Sequence, residues 1–133
     1  AIAATYTPIS WLMIPKTDAT LVLLVVWIGA LTGVLVMIFW PSAPKSVLIP
    51  LFIIVGWSAL LVIDELWKNL GGWGFTFLLL GGALHTSGVV IYGMQKPDPW
   101  PSKFGFHEIF HLLVVFAITS HYVIIAFIAL PNA

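Results

Sequence analysis

Cysteine and arginine are both missing from this 133-residue chain, and only 8% of its residues are charged. Without cysteine there is neither a disulfide nor a thiolate metal ligand, and the redox compartment leaves no trace in the sequence. Five lysines against five acidic residues give a formal net charge of zero. Scattered lysines without a basic stripe argue against a nucleic-acid partner. Segments of about ten residues that alternate apolar and polar side chains are missing too, which excludes a transmembrane β-barrel. The first residues, AIAATYTPISWLM, lack the charged n-region and A-x-A site of a signal peptide, and no initiator methionine precedes them. Residues 1–13 read as the tail of a helix already under way. That predicts that the sequence is part of a longer chain.

What is present is apolar. Hydrophobic residues make up 61% of the chain and the mean hydropathy is +1.10, values that no soluble domain shares. The blocks 21–40, 46–63, 75–94 and 109–130 are each about long enough to cross a hydrocarbon core of about 30 Å at about 1.5 Å per residue. Lipid offers backbone amides no partner, so these blocks must be helical. The expected fold is an all-α integral membrane protein, one membrane domain with four spans at about 20–40, 46–65, 73–94 and 107–130.

Asp18 and Thr20 can cap the first span, while Pro41 and Pro44 stop it. Pro50 falls where an opening turn or two would tolerate it. The glycine-rich stretch 68–74 predicts a turn, and 95–106, with Pro97, Pro99 and Pro101, is the longest polar connector. Lys45, Lys96 and Lys103 then lie at one membrane face, and Lys16 and Lys68, with Asp18, Asp64 and Glu65, at the other. Counting lysines by face puts the proline-rich connector in the cytoplasm and the C-terminus outside.

The run PSKFGFHEIFHLLVVF, residues 101–116, places two histidines and a glutamate in the opening turns of an apolar helix. Ionisable groups at such a place are costly and mark function. His107 and His111 are four apart, which stacks both imidazoles on one helix face, close enough to grip one ion. Three arrangements compete. In the first, His107 and Glu108 lie at the interface, bonded to water and the connector, while His111 bonds a neighbouring helix. In the second, His107-Glu108-x-x-His111 is the zincin motif of an intramembrane metalloprotease, with Glu108 as general base. Asp64 and Glu65 belong at the opposite interface, so this motif has no obvious third ligand.

The third comes from a resemblance. TYTPIS near the start, LGGALHTSGVVIYGMQKPDPWP in the third block and FGFHEIFHLLVVFAITSHYVIIAFIALP in the fourth together resemble the C-terminal part of the bacterial hemolysin III family, relatives of the progestin and adipoQ receptors. The strongest signals are Thr5-Tyr6-Thr7-Pro8, the stretch from Gly88 to Tyr92 leading into Lys96-Pro97, the FGFHEIFH run, and His121 followed by an aromatic residue. The resemblance covers almost the whole chain. It implies a seven-helix bundle, similar to alkaline ceramidases, in a bacterial inner membrane. It also implies zinc near the cytoplasmic side with His107 and His111 as ligands, and it leaves Glu108 incidental. The family takes a third histidine from its second helix and a carboxylate from the start of its third, both before residue 1 of this sequence. A complete site implies zinc-dependent hydrolysis of a lipid amide or ester. Two histidines alone are incomplete and fit a non-catalytic accessory or scaffold subunit packed against other membrane proteins.

The remaining polar groups are weighed against that site. His121 lies ten residues past His111, about 15 Å along the axis, so it is expected to bond across helices rather than share the ion. His85, mid-helix where the family more often has tyrosine, is a candidate ligand or proton-relay group. Its bland alternative is a hydrogen bond to a neighbouring helix. Asp64 and Glu65 read as an exposed helix end near Lys68. Trp11, Trp67 and Trp73 mark one interface and Trp40 and Trp100 the other, with Trp27 and Trp57 deeper. Gly29 and Gly33, and Gly81, Gly82 and Gly88, thin helix faces for close approach.

Overall fold

A computed structural model describes residues 1–100 and 102–132; Pro101, part of the expected connector, lies outside the described residues. Five helices follow one another: α1 (Ile2–Met13), α2 (Lys16–Phe39), α3 (Lys45–Gly56), α4 (Ile63–Met94) and α5 (Phe106–Ile124). A 3-10 turn, Ser58–Val62, joins α3 to α4, and a π turn, Ile125–Ala129, extends α5 into a final 3-10 turn, Leu130–Asn132. The protein is an all-α integral membrane protein. Among the described residues, three helical stretches are long and apolar enough to cross a membrane: Lys16–Phe39, Lys45–Met94 and Phe106–Asn132.

The middle stretch is 50 residues long, far more than one crossing needs. It doubles back at Gly71, whose φ of 64° and ψ of 177° interrupt α4. Trp67 and Phe75 meet edge to face across this point with ring centroids 5.0 Å apart, although eight residues of straight helix would separate them by about 12 Å. Further along, Trp57 Nε1 donates to Thr86 Oγ1 at 2.9 Å, and Lys45 Nζ donates to the Tyr92 carbonyl at 3.3 Å. Residues 45–70 therefore run antiparallel to 72–94, and the chain makes four passes, with the reversal inside the expected 68–74 turn.

The ends differ in detail from expectation. Lys16 begins α2 directly after Pro15, with no side-chain cap. Thr20 is inside the helix, its hydroxyl donating to the Lys16 carbonyl at 2.7 Å. Asp18 contributes only its charge to the first turn, where it complements the helix dipole. Trp40 and Pro41 close α2 as expected, and Pro50 sits inside α3.

Small residues set the packing. Helix α2 buries only the thin stripe Ala19, Val22, Val26 and Gly33, and its wider faces are exposed and apolar. Gly29 packs on Val55, and Gly33 on Leu51 and Phe52, so the first expected small-residue face meets α3. On α4, Gly74, Gly81 and Gly88 recur every seven residues and are all buried. They meet Ile128, His121 and Phe110 of the final span in antiparallel order. Gly82 has nothing within 4 Å, so only part of the second small-residue cluster serves contact. Apolar surface gives little drive between helices in lipid, and close van der Waals approach over glycine replaces it.

Candidate functional site

The HEIFH segment opens α5, and its first turn is fixed by its own sequence. Gly105 is the N-cap, and Glu108, three residues on, folds back so that its Oε2 accepts the Gly105 backbone N–H at 2.9 Å. This is the carboxylate half of a capping box; it satisfies one orphan amide and places negative charge at the positive helix end. Glu108 is thus occupied as a cap.

With the helix started at Phe106, His107 and His111 fall on one exposed face, one turn apart. Their Nε2 atoms lie 3.0 Å apart and their rings meet edge to face with centroids at 4.6 Å. Two nitrogens bound to a tetrahedral zinc at about 2.0–2.1 Å lie about 3.3 Å from each other. The pair therefore fits two positions of one zinc ion after a slight opening. The same spacing suits an Nε2–H···Nε2 hydrogen bond between the imidazoles.

A shell that the sequence did not reveal supports the pair. The Tyr92 ring sits 6.3 Å from that of His107 and 5.3 Å from that of Phe110, and Phe110 lies 5.2 Å from His111. Lys45 stands over the Tyr92 ring at 5.3 Å while bonding the Tyr92 carbonyl. The two connections draw α3, α4 and α5 together at the histidine end. No periodicity or motif links Lys45 to Tyr92, so only tertiary structure exposes the contact.

The other candidates lie elsewhere. Among the described residues, no three His, Cys, Asp or Glu side chains gather as a metal site. His85 is buried against His121, with ring centroids 5.9 Å apart. Its Nδ1 bonds the Gly81 carbonyl at 3.1 Å, within its own helix rather than across to a neighbour. His121 does bond across helices, with Nδ1 3.2 Å from Thr5 Oγ1 of α1. Glu65 pairs with Lys68 at 3.1 Å at the far end. Of the deeper tryptophans, Trp27 donates to Thr7 Oγ1 at 3.1 Å and Trp57 to Thr86, so two threonines anchor two indoles.

The profile of the haemolysin-III-related family matches residues 1–122. Hemolysin-3 of Bacillus cereus is 30% identical over 132 residues, which take in 99% of this chain and 58% of that protein. A Hemolysin-3 homolog of Bacillus subtilis (strain 168) is 33% identical over 97 residues, 71% of this chain and 45% of the relative. The yeast Saccharomyces cerevisiae supplies a further match, the ADIPOR-like receptor IZH2, 34% identical over 85 residues, 53% of this chain and 26% of that protein. The chain thus spans 58% or less of the length of these relatives. No solved structure matches it. With nearly its whole length inside the match, the chain belongs to the haemolysin-III-related family.

Proposed function

We propose that this protein is a zinc-binding membrane protein of hemolysin III type, in which His107 and His111 are ligands of a zinc-dependent hydrolase of lipid amides or esters. One observation carries the reading: two exposed Nε2 atoms converge at 3.0 Å inside an apolar helix, a place where ionisable groups are costly without a role. Zinc, when bound, lowers the pKa of a bound water to about 7 and polarises a carbonyl. The chain's own residues hold and orient. His107 and His111 ligate as neutral imidazoles, Tyr92 and Phe110 fix the ring planes from the α4 and α5 sides, and Glu108 keeps the first turn wound so that the two rings stay in register. Leu112, Val115 and Phe116, exposed beside the pair, favour an apolar acyl chain as the substrate's body. The remaining ligands come from the part of the family fold that these residues do not include.

The lysine distribution supports the histidine end as cytoplasmic and the C-terminus as external, and the likeness to the two Bacillus proteins supports a bacterial plasma membrane as the location. A second reading, a non-catalytic accessory subunit, is favoured by the lack of a third ligand among the described residues and by the broad apolar faces of α2 and α5 that other subunits could cover. The intramembrane metalloprotease loses ground because Glu108 is engaged as a helix cap. Elemental analysis of the purified protein beside a His107→Ala/His111→Ala variant separates these readings. Near-stoichiometric zinc that the variant loses supports the first, and hydrolysis of lipid amides by the wild type alone completes it. Wild-type protein free of zinc overturns it in favour of the accessory subunit.

A further inference from the structure

Remote from the HEIFH face, the bundle core holds a second pair of histidines. His121 is 1% exposed and His85 is 9% exposed. Neither Nε2 has a hydrogen-bond partner among the described residues.

The proton positions follow from the neighbours. Thr5 Oγ1 lies 3.0 Å from the Ile2 carbonyl, which only accepts, so the single threonine hydrogen goes there. The contact between Thr5 Oγ1 and His121 Nδ1 therefore needs its hydrogen from the ring, and His121 carries Nδ1–H. His85 Nδ1 faces the Gly81 carbonyl at 3.1 Å, again a pure acceptor, so His85 carries Nδ1–H as well. Both Nε2 atoms are then bare lone pairs. The rings stand 5.9 Å apart with planes 31° from each other, and two unfilled acceptors buried side by side are costly unless something donates to both.

We propose that His85 and His121 hold one internal water molecule, which donates one hydrogen to each Nε2. With that water the chain of bonds closes: Ile2 carbonyl, Thr5 hydroxyl, His121, water, His85, Gly81 carbonyl. Each donor finds one acceptor, and α1, α4 and α5 become joined by a continuous polar thread in an otherwise apolar core. Buried water plays this part for otherwise unsatisfied groups in many proteins. The glycine at position 81 lets the His121 ring lie close against α4, since that ring occupies the space that a Cβ there would take. The inference is independent of zinc binding.

The chain has four histidines, so the His107→Ala/His111→Ala variant leaves only the buried pair visible. Protein labelled with 15N-histidine and reconstituted in lipid bilayers is to be observed by solid-state NMR, with magnetisation transferred from water protons. The expected spectrum has two neutral rings, both with unprotonated Nε2, and both receiving transfer from water. An Nε2–H on either ring, a doubly protonated ring, or no transfer from water overturns the proposal. Where the double variant fails to fold, wild-type protein is compared with His85→Phe. Loss of the water transfer to His121 in that variant is expected of a bridge, and unchanged transfer overturns it.

Discussion

The imidazole of His121 lies over Gly81, in space that a Cβ on that residue would fill. Glycine is therefore required there by close approach rather than by backbone conformation, because Gly81 is an ordinary helical residue of α4. Adding a methyl group forces the ring off Thr5 and overpacks a buried site, at a cost of about 1–3 kcal/mol. Gly81→Ala is expected to lower the melting temperature of the detergent-solubilised protein. The neighbouring Gly82→Ala meets nothing within 4 Å and gains up to about 1 kcal/mol of helix propensity. Circular dichroism melts of the two variants should thus move in opposite directions, and equal shifts would remove the close-packing account.

Glu108 bonds the Gly105 amide, and this separates a capping role from a catalytic one. Glutamine keeps an acceptor oxygen and preserves the cap, whereas alanine leaves the amide unpaired. Glu108→Gln is expected to retain the fold, the zinc content and any hydrolytic activity, and Glu108→Ala to melt at a lower temperature. A Glu108→Gln protein that binds zinc normally but has lost all hydrolysis would return Glu108 to the role of general base.

These contacts also show which parts of the structure a sequence can disclose. Spans, the reversal near Gly71 and the pairing of His107 with His111 follow from local rules: apolar length, glycine clustering and a four-residue period. The occupation of Glu108 was legible in principle, because a glutamate three residues after an N-cap is itself a capping signal. The burial of His85 against His121 was not. It depends on the antiparallel register of α4 and α5, which is set by Gly74, Gly81 and Gly88 meeting Ile128, His121 and Phe110, and a period of seven on one helix does not name its partner. Thr5, on a different helix and 116 residues away from His121, lies further still beyond local reasoning.

Trp57 and Thr86 tie the 3-10 turn after α3 to the returning half of α4 through one hydrogen bond of 2.9 Å. Thr86 Oγ1 also donates to the Gly82 carbonyl at 2.8 Å, so its hydrogen is spent within the helix and its lone pair is free for the indole. Interhelical bonds of this kind average about 0.6 kcal/mol and reach about 1.7 kcal/mol. A double-mutant cycle of Trp57→Phe and Thr86→Val is expected to give a coupling in that range. Additive single effects would show that packing alone holds the turn.

Gly71 is the position where backbone conformation, with no packing contribution, decides the residue. Its φ of 64° with ψ of 177° lies in a region that side chains other than hydrogen avoid, yet nothing lies within 4 Å of a Cβ built there. Strain is thus separated from collision. Gly71→Ala is expected to cost about 1–3 kcal/mol from strain alone, while Gly72→Ala, equally open and helical, should be neutral or mildly stabilising. Because residues 45–70 and 72–94 pack antiparallel only if the chain reverses here, the strain acts on the hairpin as a unit. Gly71→Ala should also loosen the bond between Asn69 Nδ2 and the Met13 carbonyl, 2.7 Å, and speed amide exchange at the start of α2. A Gly71→Ala protein with unchanged melting and exchange would mean that the reversal is set by the flanking spans rather than by the glycine.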